Sequence, residues 1–428
     1  MSLKLASAST STTSKTPLTL WALALGVFGV GVTEFVPVGL LPQVAADFGV
    51  TIPIAGWVVS AYAAGVLLGA PLMTMLGVRV PRKRMLMLLM IVFTTGNLLT
   101  ALAPSFEVMI AGRVVTSFTH GAFFGIGAVV AAELAGPARR SKAVAFMFSG
   151  LAIANLAGVP LGTWLGAVAG WRVTFLAIAV LGALTVATIG ILVPHLPRPE
   201  GVNLRHEVKA LGDVQVVLAL LMTLLGFGGV FAALTYLAPM MTEVAGFAEG
   251  SMTWLLIVLG IGMFLGNWVG GKMADRALMP TVFTGLGALV LALVAFVFTV
   301  HVQPLAVVNI FVIGLLGMAA IPPLQTVVLH RASSAPTLAS AINIGAFNFG
   351  NAVAAWLAGL TIRAGFGYAS ANWVGALMTS AGLILAVVSV LIARRNTVAA
   401  TETPKHAPAP VAAEYRTHTA QPLLVHAG

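Results

Sequence analysis

The sequence contains no cysteine, and only 8% of its 428 residues are charged. The first absence excludes disulfides and thiol chemistry. The second excludes an ordinary soluble surface, since a soluble chain of this length needs far more polar residues to face water. Acids are scarcest, with 12 Asp and Glu against 22 Lys and Arg, for a formal charge of +10. There is no Gly-rich phosphate loop with its lysine, no HExxH helix and no Cys/His cluster, so neither an ATP-driven pump nor a metal site is expected. No cofactor and no enzymatic reaction are expected.

What is present is apolar sequence. Hydrophobic residues make up 59% of the chain, and the mean hydropathy is +1.02. Runs long enough to cross a bilayer, about 20 residues each, recur from end to end. An outer-membrane barrel would instead show short alternating segments. The basic residues do not form a nucleic-acid surface. They cluster between apolar runs: Arg79, Arg82, Lys83 and Arg84; Arg139, Arg140 and Lys142; Arg198, Arg205 and Lys209; Lys272 and Arg276; Arg331; Arg394 and Arg395. The intervening loops hold Asp47, Glu107, Glu243 and Glu249. That alternation predicts both termini in the cytoplasm. No cleaved leader is expected at the Ser/Thr-rich start.

Reading runs between polar breaks predicts an all-α membrane protein of twelve spans in two pseudo-symmetric six-helix bundles. The first set is roughly 18–41, 54–77, 85–103, 107–132, 143–168 and 172–193. The second is roughly 214–241, 251–274, 279–300, 304–329, 338–364 and 370–393. The expected organisation is a cytoplasmic tail (1–17), a first bundle (18–193), a linker (194–213), a second bundle (214–393) and a disordered tail (394–428). Leu204, Val208 and Leu211 recur at helical spacing in the linker and predict a short amphipathic helix on the membrane surface. A shift of 197 residues aligns Pro42 with Pro239, Gly49 with Gly246, Trp57 with Trp254, Gly65 with Gly262, Gly69 with Gly266 and Arg79 with Arg276. Two such halves suggest parallel repeats with a site between them at the midplane.

Glu34 lies inside the first apolar run. If that span reaches the outer surface near Gln43, Glu34 lies ~13 Å below it, and Arg113, on a span entering near Phe106, lies ~10 Å down. A lone ion at this depth costs several kcal/mol, so each needs a partner or water. Arg113 is the natural candidate for Glu34. His120 is seven residues from Arg113 and on the same helix face. Intramembrane ionisable groups usually mark a pathway, and these three are the proton-coupling candidates; a structural salt bridge and an interhelical histidine are the plainer alternatives. No acid lies within the membrane portion of the second half. Phe35, Asn155, Tyr236, Gln325, Asn343, Asn348 and Asn351 are the candidate substrate-cavity residues, each also a candidate for plain interhelical hydrogen bonding or packing.

Two loop stretches, GAPLMTMLGVRVPRKR (69–84) and GNWVGGKMADR (266–276), close the second and eighth spans. They resemble the major facilitator superfamily loop motif G-x-L-a-D-R-x-G-R-R. The first half supplies Leu76, Arg79, Arg82 and Lys83 but has Val78 where the motif has its acid; the second keeps Gly271, Asp275 and Arg276. The resemblance implies a gating latch of charges, in which Glu133 is the available substitute acid for Arg79 or Arg82. The alternative is that these arginines set topology and touch lipid phosphates. TEFVPVGLLP (33–42), RVVTSFTHGAFFG (113–125), GVPLGTWLG (158–166) and GWRVTF (170–175) resemble the sugar-efflux and chloramphenicol-efflux (arabinose-efflux-permease-like) branch of the drug:proton antiporter family. That branch implies a bacterial inner-membrane exporter of a small molecule, a drug such as an amphenicol or a sugar, in exchange for protons. A monomer is expected, with the lipid bilayer, substrate and protons as its partners. Proton symport, uniport or a non-transporting receptor are the rivals. The resemblance also makes Gly158, Pro160, Gly162 and Gly166 a fifth-helix coupling motif, although Val159 separates the usual Gly-Pro pair. Read alone, the glycines form a close-packing face and Pro160 a kink.

Overall fold

The computed structural model describes residues 16–77, 79–136, 139–196, 212–333 and 336–402. Val78 and most of the predicted linker, including Leu204, Val208 and Leu211, lie outside the described residues, as does the chain beyond 402.

The first half comprises α1 (Thr16–Phe35, then Pro37–Phe48), α2 (Ile52–Ala55, then Trp57–Gly77) and α3 (Arg82–Ala101). It continues with α4 (Phe106–Ser117, then His120–Ala135), α5 (Arg140–Ile153, Ala154–Gly158, Val159–Ala169) and α6 (Trp171–Leu192). The second half comprises α7 (Val214–Thr235, Leu237–Pro239, Met240–Val244), α8 (Met252–Arg276) and α9 (Leu278–Thr299). It ends with α10 (Gln303–Arg331), α11 (Pro336–Thr361, then Ile362–Phe366) and α12 (Ser370–Glu402). Eleven helical stretches among the described residues are long and apolar enough to cross a membrane. The remaining expected span is α11, where Asn343, Asn348 and Asn351 dilute the hydropathy. The last helix runs through Glu402, past the point near 394 where a disordered tail was expected. Its Ala-rich continuation has no helix breaker before Pro404.

The described residues up to Ser389 form one compact unit. Bilayer lipid is as apolar as leucine, so helix pairs here associate by close approach rather than by hiding hydrophobic side chains. The internal repeat shows this at the same register in both halves. A Cβ on Gly65 would meet Val114 and Ser117, and one on Gly69 would meet Phe118. In the second half a Cβ on Gly262 would meet Phe311 and Leu315, and one on Gly266 would meet Leu315. Val114 and Phe118 become Phe311 and Leu315 under the 197-residue shift, so α2 sits on α4 as α8 sits on α10.

The fifth helix is built around its proline. Pro160 has no N–H to give the carbonyl four residues back, and one turn of π-helix, Ala154–Gly158, precedes it. Single π turns often mark functional bends. The glycine face beyond that turn lies on α1: Cβ atoms on Gly158, Gly162 and Gly166 would meet Val32, Val36 and Leu40 respectively. The three contacts climb α1 in steps of four residues and straddle its break at Val36. We expect Gly162→Ala to lower the thermal unfolding midpoint, because the Cβ would sit 2.8 Å from Cγ2 of Val36, a fully buried side chain that is stiff at χ1. Gly162→Leu should push α1 outward, lower the thermal unfolding midpoint in detergent and abolish transport, since overpacking typically costs about 1–3 kcal/mol. Full transport by Gly162→Leu would show that the α1–α5 seam tolerates displacement.

Candidate functional site

Glu34 sits one residue before the end of the first segment of α1, and the break that follows has a simple cause. Pro37 cannot donate to the carbonyl of Thr33, its partner four residues back. Arg113 supplies the missing donor. Its Nη1 donates to the Thr33 carbonyl at 2.9 Å and to Thr33 Oγ1 at 3.2 Å. Its Nε donates to the carbonyl of Val58 on α2 at 3.1 Å. Thr33 Oγ1 in turn donates to Asn97 Oδ1 on α3 at 2.6 Å. One guanidinium, 0% exposed, therefore ties α4 to α1 and α2, with α3 behind.

The same guanidinium lies over the Tyr62 ring, 4.3 Å from its centroid. The Tyr62 hydroxyl meets His120 Nδ1 at 3.1 Å, and that nitrogen is 3.9 Å from Glu34 Oε2. The Glu34 and His120 side chains are only 11% and 5% exposed. Glu34, His120, Tyr62 and Arg113 thus form one buried cluster drawn from α1, α2 and α4. The sequence expectation that Arg113 pairs directly with Glu34 is corrected: no such ion pair exists among the described residues. The guanidinium is held instead by the orphaned Thr33 carbonyl and by that of Val58, through Nη1 and Nε. Nη2 makes no hydrogen bond among the described residues. Among the described residues, His120 is the basic side chain within 4.0 Å of the Glu34 carboxylate. A carboxylate that approaches an imidazole, itself on a phenol hydroxyl, is an arrangement that can take up and release a proton.

The cavity residues divide. Phe35 stacks on Phe231 across the two halves at 5.5 Å between ring centroids. With Asn155 it lines a small cavity walled by Val159, Leu234, Leu256 and Met263. The Asn155 amide oxygen has no hydrogen-bond partner among the described residues. Gln325 and Asn343 are brought together, with Asn343 Nδ2 donating to Gln325 Oε1 at 2.6 Å and Gln325 Nε2 to Ser340 at 3.0 Å. Asn348 donates to the carbonyl of Ile344 within α11. Asn348 and Asn351 are both buried, and their amide oxygens have no hydrogen-bond partner among the described residues. Tyr236 is misplaced by the sequence reading. It follows the break after Thr235, donates to the Ala355 carbonyl at 3.0 Å, and fills the space left by Gly56 and Gly359 at the outer seam. Together with Phe35–Phe231, and with Gly39 against Leu256, it closes the outer side of the molecule.

At the cytoplasmic side Glu133 pairs with Arg82 rather than Arg79. Lys83 donates to the Gly190 carbonyl at the inner end of α6, at 2.7 Å. Arg79, Asp275 and Arg276 are exposed and make no ion pair among the described residues. The pair Arg82–Glu133 is part-exposed, so it should be worth ~1 kcal/mol or less. We expect Glu133→Gln to slow transport more than Val78→Ala does, and Arg82→Gln with Glu133→Gln to be no worse than either alone. Additive losses in that double-mutant cycle would show that the two residues act separately.

Missed by sequence reasoning were Tyr62, Thr33 and Asn97. The phenol looks like ordinary helix core in an apolar run. The Thr33–Pro37 spacing was the legible signal for the carbonyl that Arg113 takes.

The fold and this intramembrane charge cluster define a polytopic helical carrier with two repeated halves. Residues 23–346 match the family model of the Major Facilitator Superfamily, and the chain belongs to that family. It is a transporter, not an enzyme. It is 42% identical over 370 residues to the inner membrane transport protein YdhP of Escherichia coli (strain K12), covering 86% of this chain and 95% of that protein. It is 34% identical over 378 residues to a chloramphenicol resistance protein of Streptomyces lividans, covering 86% and 95%. The crystal structure of a D-xylose-proton symporter shares the fold at TM-score 0.70 and 18% identity, covering 88% of this chain and 97% of that one.

Proposed function

We propose that the protein exports a small molecule from the cytoplasm in exchange for protons, across the inner membrane of a bacterium, as a monomer. The observation that carries this is the buried Glu34–His120–Tyr62 contact at the break in α1. An acid is retained there at a cost of several kcal/mol unless it is neutralised or partnered. Glu34 is the proton carrier. His120 and Tyr62 receive and orient its proton. Arg113 holds the broken helix in place and supplies the positive charge nearby. The glycine face of α5 lies against the same break, so a shift in α1 on protonation is passed to α5. The two bundles, 18–193 and 214–393, then rock about the cavity at Phe35 and Asn155.

Export is favoured by the relative named as a chloramphenicol resistance protein, and the substrate class proposed is an amphenicol-like drug or a sugar. The test has two stages. Cells expressing the protein are screened for growth against amphenicols, other lipophilic drugs, pentoses and thiogalactosides. The compound that emerges is then loaded into proteoliposomes carrying an imposed pH gradient. Proton-driven movement opposite to the proton flux supports exchange. Movement with the proton flux establishes symport, and gradient-independent equilibration establishes uniport; either result overturns the proposal.

A further inference from the structure

The outer ends of α2 and α11 leave a hollow that the transport reading does not use. Trp57 and Ser60 wall it from the first half, Trp356 and Arg363 from the second, and Tyr236 is at its floor. The two tryptophans are about half exposed, at 48% and 45%. Arg363 lies in the π turn Ile362–Phe366 that ends α11. Outer loops otherwise carry acids, and the other outer arginine, Arg172, is paired with Asp47. Arg363 belongs to none of the ion pairs among the described residues. Tryptophan prefers the headgroup level of a bilayer, and arginine's planar fork matches phosphate. An uncompensated arginine between two interfacial tryptophans therefore has the chemistry of a lipid phosphate site.

We propose that this hollow binds an anionic phospholipid of the outer leaflet, its phosphate on Arg363 and its upper chains against Trp57 and Trp356. The walls come from both halves, so the site is whole only while the outer ends are together. A bound lipid accordingly favours the outward-closed state, because it has differential affinity for it. The proposal is independent of proton coupling.

The cysteine-free chain allows a direct test. Spin labels at Thr51→Cys and Ala248→Cys, both exposed at outer loops of opposite halves, report the outer separation. In phosphatidylglycerol nanodiscs the short distance should dominate. Replacing that lipid by phosphatidylcholine should lower the ratio of short to long distances about fivefold, the effect of one arginine at an anionic surface. Arg363→Gln in phosphatidylglycerol should give the same fall and should no longer respond to lipid. Arg84→Gln, an exposed inner-side control, should keep the wild-type response. A wild type indifferent to lipid, an Arg363→Gln protein that responds like wild type, or an equal loss in Arg84→Gln would overturn the proposal.

Discussion

Glu34→Gln binds substrate with affinity close to wild type and cannot accumulate or expel it against a gradient. The amide preserves the shape of the side chain and its place beside His120 Nδ1, which lies 3.9 Å from the native carboxylate. It cannot exchange a proton. On the proposed reading, substrate binds at the cavity of Phe35 and Asn155, whose lining does not include Glu34. Uphill transport should therefore vanish while exchange of labelled for unlabelled substrate persists. Counterflow and pH-driven uptake, measured on the same proteoliposomes, separate the two activities. Undiminished uphill transport by Glu34→Gln would remove this residue from the mechanism.

Arg113→Ala is expected to be the most damaging single substitution to stability as well as to activity. It strips donors from the carbonyls of Thr33 and Val58. A buried group left unsatisfied costs about 1–3 kcal/mol, and the side chain removed is fully buried, so a void is added. The cation over the Tyr62 ring is lost as well. Arg113→Lys should recover little, because one ammonium on a flexible stem cannot reach two carbonyls on different helices. Thermal unfolding in detergent and uphill transport should fall together in both variants. Recovery of both by lysine would mean that positive charge alone suffices and the fork geometry is dispensable.

Much of this was legible in the sequence. Glu34 and Arg113 could be brought to one depth from helix rise, His120 could be placed on the helix face of Arg113 from their seven-residue spacing, and charge alternation gave the sidedness. Glu133 could be named as a stand-in acid because it lies on the same side as Arg82. What depth cannot give is rotation about a helix axis. That is why Tyr62 was not seen facing Arg113 and His120, and why Tyr236 was expected in the central cavity. The break after Thr235 turns it to the outer seam instead. In place of the expected Glu34–Arg113 ion pair stands a backbone contact: a proline four residues on leaves an acceptor, and a buried guanidinium takes it. The register of the repeat, by contrast, was readable from aligned glycines together with a proline, a tryptophan and an arginine, and Gly65, Gly69, Gly262 and Gly266 mark the close helix approaches.

Proton release on substrate binding tests the central claim most directly. Weakly buffered, detergent-solubilised protein is mixed with the substrate identified by the growth screen while a pH indicator is followed, in wild type and in Glu34→Gln. The account predicts release of protons from wild type at pH values where Glu34 is protonated in the free protein, and none from Glu34→Gln although it binds the same compound. Equal release from both would contradict it and place the coupled proton elsewhere.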